Sequence, residues 1–261
     1  AGFQANMTDT IHYILASDID NTLTGDREAL IRLAEALTDK MKSSELTLIL
    51  STGRRLEQIL EGFREEDIPR PHGIVSQVGT EIYVPPFKSD SKPLNEWKER
   101  LLADFSRETA ENFLTDIEGL EMQPDEFNTP LKVSCFLDKT PDPEAAAQRI
   151  RERAEPYKNS YQVVWSSGKD LDIIPTKAGK ANAILFLREY LGLSQLPVVA
   201  AGDSGNDSSM FDTFKKGIIV GNAKPELIAA QQNRSDRTIY FAINNYAAGV
   251  YEGLRYFGIL Y

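Results

Sequence analysis

Cysteine and histidine are nearly missing from this sequence. Its 261 residues include a single cysteine, Cys135, and two histidines, His12 and His72. No intrachain disulfide can form, and the usual zinc ligand sets cannot be assembled. Any bound metal must therefore be held by oxygen. The chain also lacks a run of 18 or more apolar residues and the basic-then-apolar order of a secretory leader, so cytoplasmic residence is the expectation. Positive charge is short as well: 29 Lys and Arg stand against 39 Asp and Glu, a net charge of −10. Nucleic acids and anionic membranes are held through surplus Lys and Arg, so this balance excludes both as partners of the whole surface, and phosphate chemistry has to be local. What remains is the composition of an ordinary globular protein, long enough to bury roughly 70–75% of its unfolded surface.

The periodicities that are present alternate between strand and helix. Tyr13 to Ala16 is a short apolar run, Ala29, Leu30, Leu33, Ala34, Leu37 and Met41 recur at helical spacing, and Leu46 to Leu50 is apolar again. Strand, helix and strand in that order predict a βαβ unit and a parallel sheet. A helix over Leu56–Glu65 and a strand over Gly73–Ser76 extend it. After Pro85-Pro86 the rhythm changes: a long helix is expected from Leu94 to Asp116, a strand over Leu131–Leu137, a helix over Pro143–Ala154, and successive strands over Tyr161–Trp165 and Leu171–Ile174. Strands without intervening helices predict an antiparallel sheet. The alternation then resumes with a helix over Lys180–Tyr190, a strand over Pro197–Ala201, a helix near Asn206–Phe214, a strand over Gly217–Val220 and a last helix after Asn245. The fold class expected is α/β, a Rossmann-like parallel-sheet core formed by residues 1–86 and 176–261, with an inserted α+β cap domain at 87–175.

Ligands of open parallel sheets bind beyond the carboxyl ends of the strands. Three apolar runs end there in polar clusters: Asp18-Ile19-Asp20-Asn21-Thr22, Ser51-Thr52-Gly53-Arg54 and Gly202-Asp203-Ser204-Gly205-Asn206-Asp207. A lone Asp after a strand is ordinarily a helix cap or turn former. Capping predicts no relation among the clusters, whereas a phosphoryl-transfer site needs nucleophile, acid, hydroxyl donor, cation and metal ligands together. So many carboxylates repel one another unless a cation binds or one takes a proton, and an all-oxygen set of this charge suits Mg2+. Cys135 reads as a small core residue, and His12 and His72 show no partner pattern.

In this order the clusters resemble the motifs of the haloacid dehalogenase superfamily of aspartate-nucleophile phosphatases: Asp18 to Thr22 the first, Thr52-Gly53-Arg54 the second, Lys180 the third and Gly202 to Asp207 the fourth. Within it the chain is most similar to sucrose-6-phosphate phosphatases through Val78–Tyr83, Ser166–Asp172 with Ile174-Pro175, and Val220–Leu227. It departs from that pattern at Ala181, where Gly is expected, and at Thr80, where Ser is expected. The resemblance implies Asp18 as nucleophile, Asp20 as general acid and base, Thr52 and Lys180 as phosphate and charge partners, and Mg2+ held by Asp18, the Asp20 carbonyl, Asp203 and Asp207. It further implies Gly53, Arg54, Thr80, Glu81, Ser167, Gly168, Lys169, Asp170, Asn206 and Asn222 as substrate contacts. The function expected is hydrolysis of sucrose 6-phosphate, a small-molecule sugar phosphate. The alternatives are a phosphatase for mannosylfructose phosphate or a glycosyl-3-phosphoglycerate, and a non-catalytic sugar-phosphate-binding domain of the kind that accompanies glycosyltransferases.

Overall fold

The structure, a computed structural model, describes residues 11–261; residues 1–10 of the first expected core segment lie outside the described residues. Along the chain run β1 (Tyr13–Ser17), α1 (Arg27–Lys42), β2 (Leu46–Ser51), α2 (Leu56–Glu65), β3 (Gly73–Ser76), β4 (Glu81–Tyr83), α3 (Asn95–Leu102), α4 (Arg107–Asn112), β5 (Glu121–Met122), β6 (Val133–Phe136) and α5 (Pro143–Ala154). There follow β7 (Tyr161–Ser166), β8 (Asp170–Pro175), α6 (Lys180–Tyr190), β9 (Val198–Gly202), α7 (Ser208–Thr213), β10 (Lys216–Ile219), α8 (Pro225–Gln231), β11 (Thr238–Phe241) and α9 (Tyr246–Tyr256). No helix among the described residues is long and apolar enough to cross a membrane.

Seven strands form one sheet in the order β11-β10-β9-β1-β2-β3-β4, parallel except for β4, which runs antiparallel at the edge. The central strands are apolar throughout because helices cover both faces. Ile14 and Ala16 of β1 share a core cluster with Ala183, Ile184 and Leu187 of α6 and Phe211 of α7; Leu15, between them, shares the opposite one with Leu30, Leu33 and Leu37 of α1 and Leu254 of α9. Alternate residues of one strand thus anchor two helical layers.

A second, four-stranded antiparallel sheet has the order β5-β6-β8-β7 and lies within residues 121–175. Its alternation gives it two chemically different faces. Val133 and Cys135 of β6 pair across to Ile173 and Leu171 of β8 and are buried with Ala147 and Ile150 of α5. The residues between them, Ser134 and Phe136, pair with Asp172 and Asp170 and face the other way. Cys135 is fully buried, and burial pushes its thiol up to about 12, in keeping with a core residue.

The expected single helix from Leu94 to Asp116 is two helices, α3 and α4. The break falls where Ser106 takes the N-cap, its Oγ accepting from the Thr109 N–H at 3.4 Å, while its own N–H donates to the Tyr161 hydroxyl at 2.9 Å. Phe105 leaves the helical track to lie 5.0 Å from the Tyr161 ring. A cap and an aromatic contact made across the fold outweigh helix propensity there. The short elements β4, β5, β11 and α8 carry too few residues to show a period and are additions to the expected order. The histidines do have partners, both non-local: His12 Nε2 lies 2.8 Å from Thr47 Oγ1, and His72 Nδ1 accepts from the Leu48 N–H at 3.1 Å.

Candidate active site

Because β1 lies between β2 and β9, the residues following these strands meet at the carboxyl edge of the sheet. Asp18, Asp203 and Asp207 each present a carboxylate oxygen within 4.8 Å of the others, and all three side chains are buried. Thr22 sits between two of them, its hydroxyl 3.1 Å from Asp203 Oδ1 and 3.4 Å from Asp18 Oδ2. Lys180 opens α6 and is fully buried. Its ammonium spends all three donors here, on Asp207 Oδ1 at 2.7 Å, Asn206 Oδ1 at 3.0 Å and Asp18 Oδ1 at 3.1 Å. Asp207 also accepts the Asp203 and Ser204 N–H groups on Oδ2, at 2.9 and 3.2 Å, and so shapes the loop that carries Asp203.

Three buried carboxylates around one ammonium leave the site short of positive charge. Burial pushes the Asp18 carboxyl up to about 8, with Lys180 opposing and Asp203 adding to the rise. Burial likewise raises Asp203 and Asp207 to about 6. Lys180 is raised in spite of its burial, because Asp18 and Asp207 hold its proton. The donor set is all oxygen, compact and in excess negative charge, which fits a hard divalent cation such as Mg2+.

Asp20 lines the same cleft as Asp18 and Asp203 but is not part of the three-carboxylate cluster. Its carboxylate is half exposed and gripped by Arg54, whose Nε and Nη2 donate to Oδ2 and Oδ1 at 3.0 and 2.9 Å. Thr52 is fully buried beneath Gly53, with its Oγ1 accepting the Arg54 N–H at 3.0 Å. Val78, a β-branched residue held at φ 58°, borders the same space; a left-handed backbone at such a residue is strained and marks a position that its surroundings impose.

A cleft of about 320 Å³ separates the acidic cluster from the four-stranded sheet, a size suited to a small ligand. Of the substrate contacts expected from the sequence, Gly53, Arg54, Ser167, Asp170 and Asn206 line it. The others are placed differently. Thr80 is buried and donates its hydroxyl to the Gln77 carbonyl at 2.8 Å, while Glu81 accepts from the Tyr83 hydroxyl at 2.8 Å. Asn222 ties the Asn21 carbonyl to the Tyr246 N–H, at 2.8 Å each. Lys169 is exposed, 5.0 Å over the Phe136 ring, and does not line the cleft; nor does Gly168. Ser167 and Gly168 both have positive φ, the backbone of a type I′ hairpin turn, so the turn chemistry accounts for their residue types.

The cleft wall also holds residues that the sequence analysis did not single out: Gln123, Phe127, Lys132, Phe136 and Asp172. Lys132 is nearly fully buried, its ammonium 2.5 Å from Ser134 Oγ and 3.6 Å from Asp172 Oδ1; Ser134 in turn donates to Asp172 at 2.6 Å. Burial lowers the Lys132 pKa, with Asp172 opposing. A usable signal was present: Lys132-Val-Ser-Cys-Phe136 and Asp170-Leu-Asp172 alternate polar and apolar at the strand period, which puts Lys132, Ser134, Asp170 and Asp172 on one face. Opposite them, the turn before β8 touches the core where the Ser167 N–H donates to Glu226 Oε1 at 3.0 Å. Gly205 lies directly under the Trp165 carbonyl oxygen, where any Cβ would collide, so only glycine lets the two parts approach this closely.

Residues 11–258 match the family model described as sucrose-6F-phosphate phosphohydrolase. Mannosylfructose-phosphate phosphatase of Agrobacterium fabrum is 32% identical over 251 residues, covering 94% of this chain and 97% of that protein. Sucrose-phosphatase 1 of Nicotiana tabacum is 29% identical over 266 residues, 97% of this chain but 61% of that protein, so the chain spans about three fifths of the plant relative. Among solved structures, the sucrose-phosphatase of Synechocystis sp. PCC6803, in complex with sucrose and phosphate, superposes with a TM-score of 0.84 at 30% identity, covering 95% of this chain and 98% of the other. With a family model matched over nearly its whole length and full-length likeness to enzymes that remove phosphate, the chain belongs to the sucrose-6F-phosphate phosphohydrolase family and is a phosphatase.

Proposed function

We propose that this enzyme hydrolyses a phosphorylated disaccharide, sucrose 6-phosphate before others, through an aspartyl phosphate on Asp18. The observation that carries this is the placement of a buried Asp18, held by Lys180, across a cleft from the polar face of the four-stranded sheet. An Asp18 oxygen attacks phosphorus, the bond between phosphorus and the sugar oxygen breaks, and Asp20 gives its proton to that oxygen. Water then attacks the phosphorus of the aspartyl phosphate, Asp20 takes the proton of that water, and orthophosphate and the Asp18 carboxylate are released. Lys180 holds Asp18 in place and balances charge, and Thr52 and Asn206 steady the phosphate end. Asp18, Asp203 and the Asp20 carbonyl, with Asp207 behind them, would hold Mg2+, which neutralises charge between nucleophile and phosphate when bound. Lys132, Asp170, Asp172 and Gln123 supply donors and acceptors for sugar hydroxyls, and Phe127 and Phe136 supply flat apolar surface. A hydroxyl pattern that leaves one of these buried groups unpaired is rejected strongly.

Mannosylfructose phosphate is the second reading, favoured by the 32% identity to the Agrobacterium enzyme. Phosphate release from sucrose 6-phosphate, mannosylfructose phosphate and glucose 6-phosphate, with Mg2+ and with a chelator, decides among them. One of the two disaccharide phosphates should exceed glucose 6-phosphate by at least about tenfold in kcat/KM, the factor that one lost hydrogen bond produces, and chelation should abolish turnover. A preference for the monosaccharide sinks the disaccharide reading; no turnover by folded protein sinks the enzymatic mechanism.

Asp170 gives this reading a pH signature. Burial, then Asp172, push its carboxyl up to about 6, with Lys169 opposing. Below that value it is protonated and no longer accepts two hydroxyl donors as a carboxylate does. KM for the disaccharide phosphate should therefore rise as the pH falls through 6. The second ionisation of the substrate phosphate lies in the same range, so the measured quantity is the excess of the wild-type rise over that of Asp170→Asn. Parallel curves for the two proteins would remove Asp170 from the sugar site.

A further inference from the structure

Arg54 is held from two sides, and all five of its guanidinium N–H groups have acceptors. One edge, Nε and Nη2, meets Asp20; the other donates through Nη1 and Nη2 to Glu66 Oε2 and Oε1 at 2.6 and 3.0 Å, with Nη1 also reaching the Gln58 carbonyl at 3.3 Å. Asp20 has no other side-chain hydrogen-bond partner among the described residues, and its side chain is 53% exposed. Without Arg54 it would be free to change rotamer in water. Arg54 is itself planar, so fixing one edge fixes the other.

The second grip is built into α2. Gln58, Gly62 and Glu66 follow one another at intervals of four residues and so lie along one face of the helix. A Cβ at Gly62 would stand 2.6 Å from Ile68 Cδ1, 2.9 Å from Glu66 Oε2 and 3.0 Å from Arg54 Nη1, so the bare glycine leaves room both for the Ile68 side chain and for the ion pair. Glycine within a helix costs about 1 kcal/mol against alanine. Glu66 occupies the C-cap, the end at which the helix dipole disfavours a carboxylate. Both residues are poor choices for the helix alone; Glu66 binds the guanidinium directly, and Gly62 leaves room for that pair as well as for Ile68.

We infer that Glu66 is a positioning residue: acting through Arg54, it holds the Asp20 carboxyl at the angle from which a proton reaches the departing sugar oxygen. The inference rests on the proposed role of Asp20 as general acid. A merely structural tie between α2 and the loop after β1 would affect every substrate alike, whereas a role in placing the acid affects only leaving groups that need a proton.

The test compares kcat/KM, which reports the steps up to the aspartyl phosphate, for sucrose 6-phosphate and for p-nitrophenyl phosphate, whose phenolate departs without a proton. Glu66→Gln should lower kcat/KM for sucrose 6-phosphate about 10- to 100-fold, part of the 10²–10⁴ that a general acid supplies, and that for p-nitrophenyl phosphate less than about 3-fold. Gly62→Ala, with Glu66 intact, should show the same asymmetry. Loss of folded protein scales both substrates equally and cancels in the ratio. Equal losses on the two substrates, or no loss on sucrose 6-phosphate, overturn the role of Glu66. Asp20→Asn is the control: its own asymmetry should be larger, and if it has none the general-acid role falls, taking this inference with it, whereas asymmetry in Asp20→Asn without any in Glu66→Gln refutes Glu66 alone.

Discussion

Asp18→Asn should abolish turnover, with kcat down by at least about 10⁴-fold, the scale on which removal of a covalent nucleophile is felt. An amide oxygen at this position retains the size and much of the hydrogen bonding of the carboxylate but does not form the mixed anhydride with phosphate. The fold should survive the change, and the electrostatics say why. The folded-state pKa of Asp18 lies at about 8, above its ordinary 3.8. A raised acid contributes stability that is full below the unfolded value and is lost as the pH rises through the folded one. At neutral pH metal-free Asp18 must take up a proton in the fold that it does not hold when unfolded, a cost that the neutral amide avoids, while Lys180 keeps Asp207 and Asn206 as partners. Thermal melting in the presence of a chelator should place Asp18→Asn within a few degrees of wild type, and added Mg2+ should stabilise the wild type more than the variant. Turnover near the starting level would exclude Asp18 as nucleophile.

Lys180→Met should damage both activity and stability. Its ammonium is the only cation within hydrogen-bond distance of the Asp18 and Asp207 carboxylates among the described residues, and it is 0% exposed. Methionine fills most of the volume but leaves two buried carboxylates facing each other without a counter-charge. Breaking a buried ion pair by removing one partner costs about 3–5 kcal/mol, and loss of a charge that steadies the nucleophile and phosphate costs about 10²–10³ in kcat. Lys180→Arg should not rescue, since a planar fork does not fit a site closed around a compact ammonium. The measurements are chemical denaturation in chelator and single-turnover phosphate release. A variant that melts like wild type would show that Asp18 and Asp207 take up protons readily enough to replace the ammonium; one that also turns over like wild type would remove Lys180 from the mechanism.

Asp18→Asn and Lys180→Met contrast with Glu66→Gln, and the contrast follows from how local each interaction is. The carboxylate cluster sits at adjacent strand ends, where substitution removes a reacting or charge-balancing group. Glu66 lies one residue beyond α2 and reaches Asp20 only through Arg54. Its effect is therefore expected in leaving-group dependence rather than in loss of all turnover.

The βαβ alternation, the break in rhythm after Pro86 and the convergence of Asp18, Asp203 and Asp207 are legible in the order of residues alone, while Lys180 joins them only through the resemblance to the superfamily's motifs. Period-2 and period-3.6 burial is a local property, and in a parallel sheet the residues after successive apolar runs must fall on one edge. That is why residues far apart in sequence could be assigned to one site before any coordinates. Which partners the polar side chains take depends on contacts across the fold. Thr80, Glu81 and Asn222 stand in motif-like stretches, but their hydrogen bonds go to neighbours in the fold rather than to the cleft. Lys132 and Asp172 become a wall of the cleft because β6 and β8 pair in one register, a long-range choice that a one-residue slip would reverse. Arg54 is fixed against Glu66 because Gly62 leaves room, a matter of shape on a helix face that residue type alone does not reveal. Periodicity places elements and strand ends; partners across the fold decide what each charge does there.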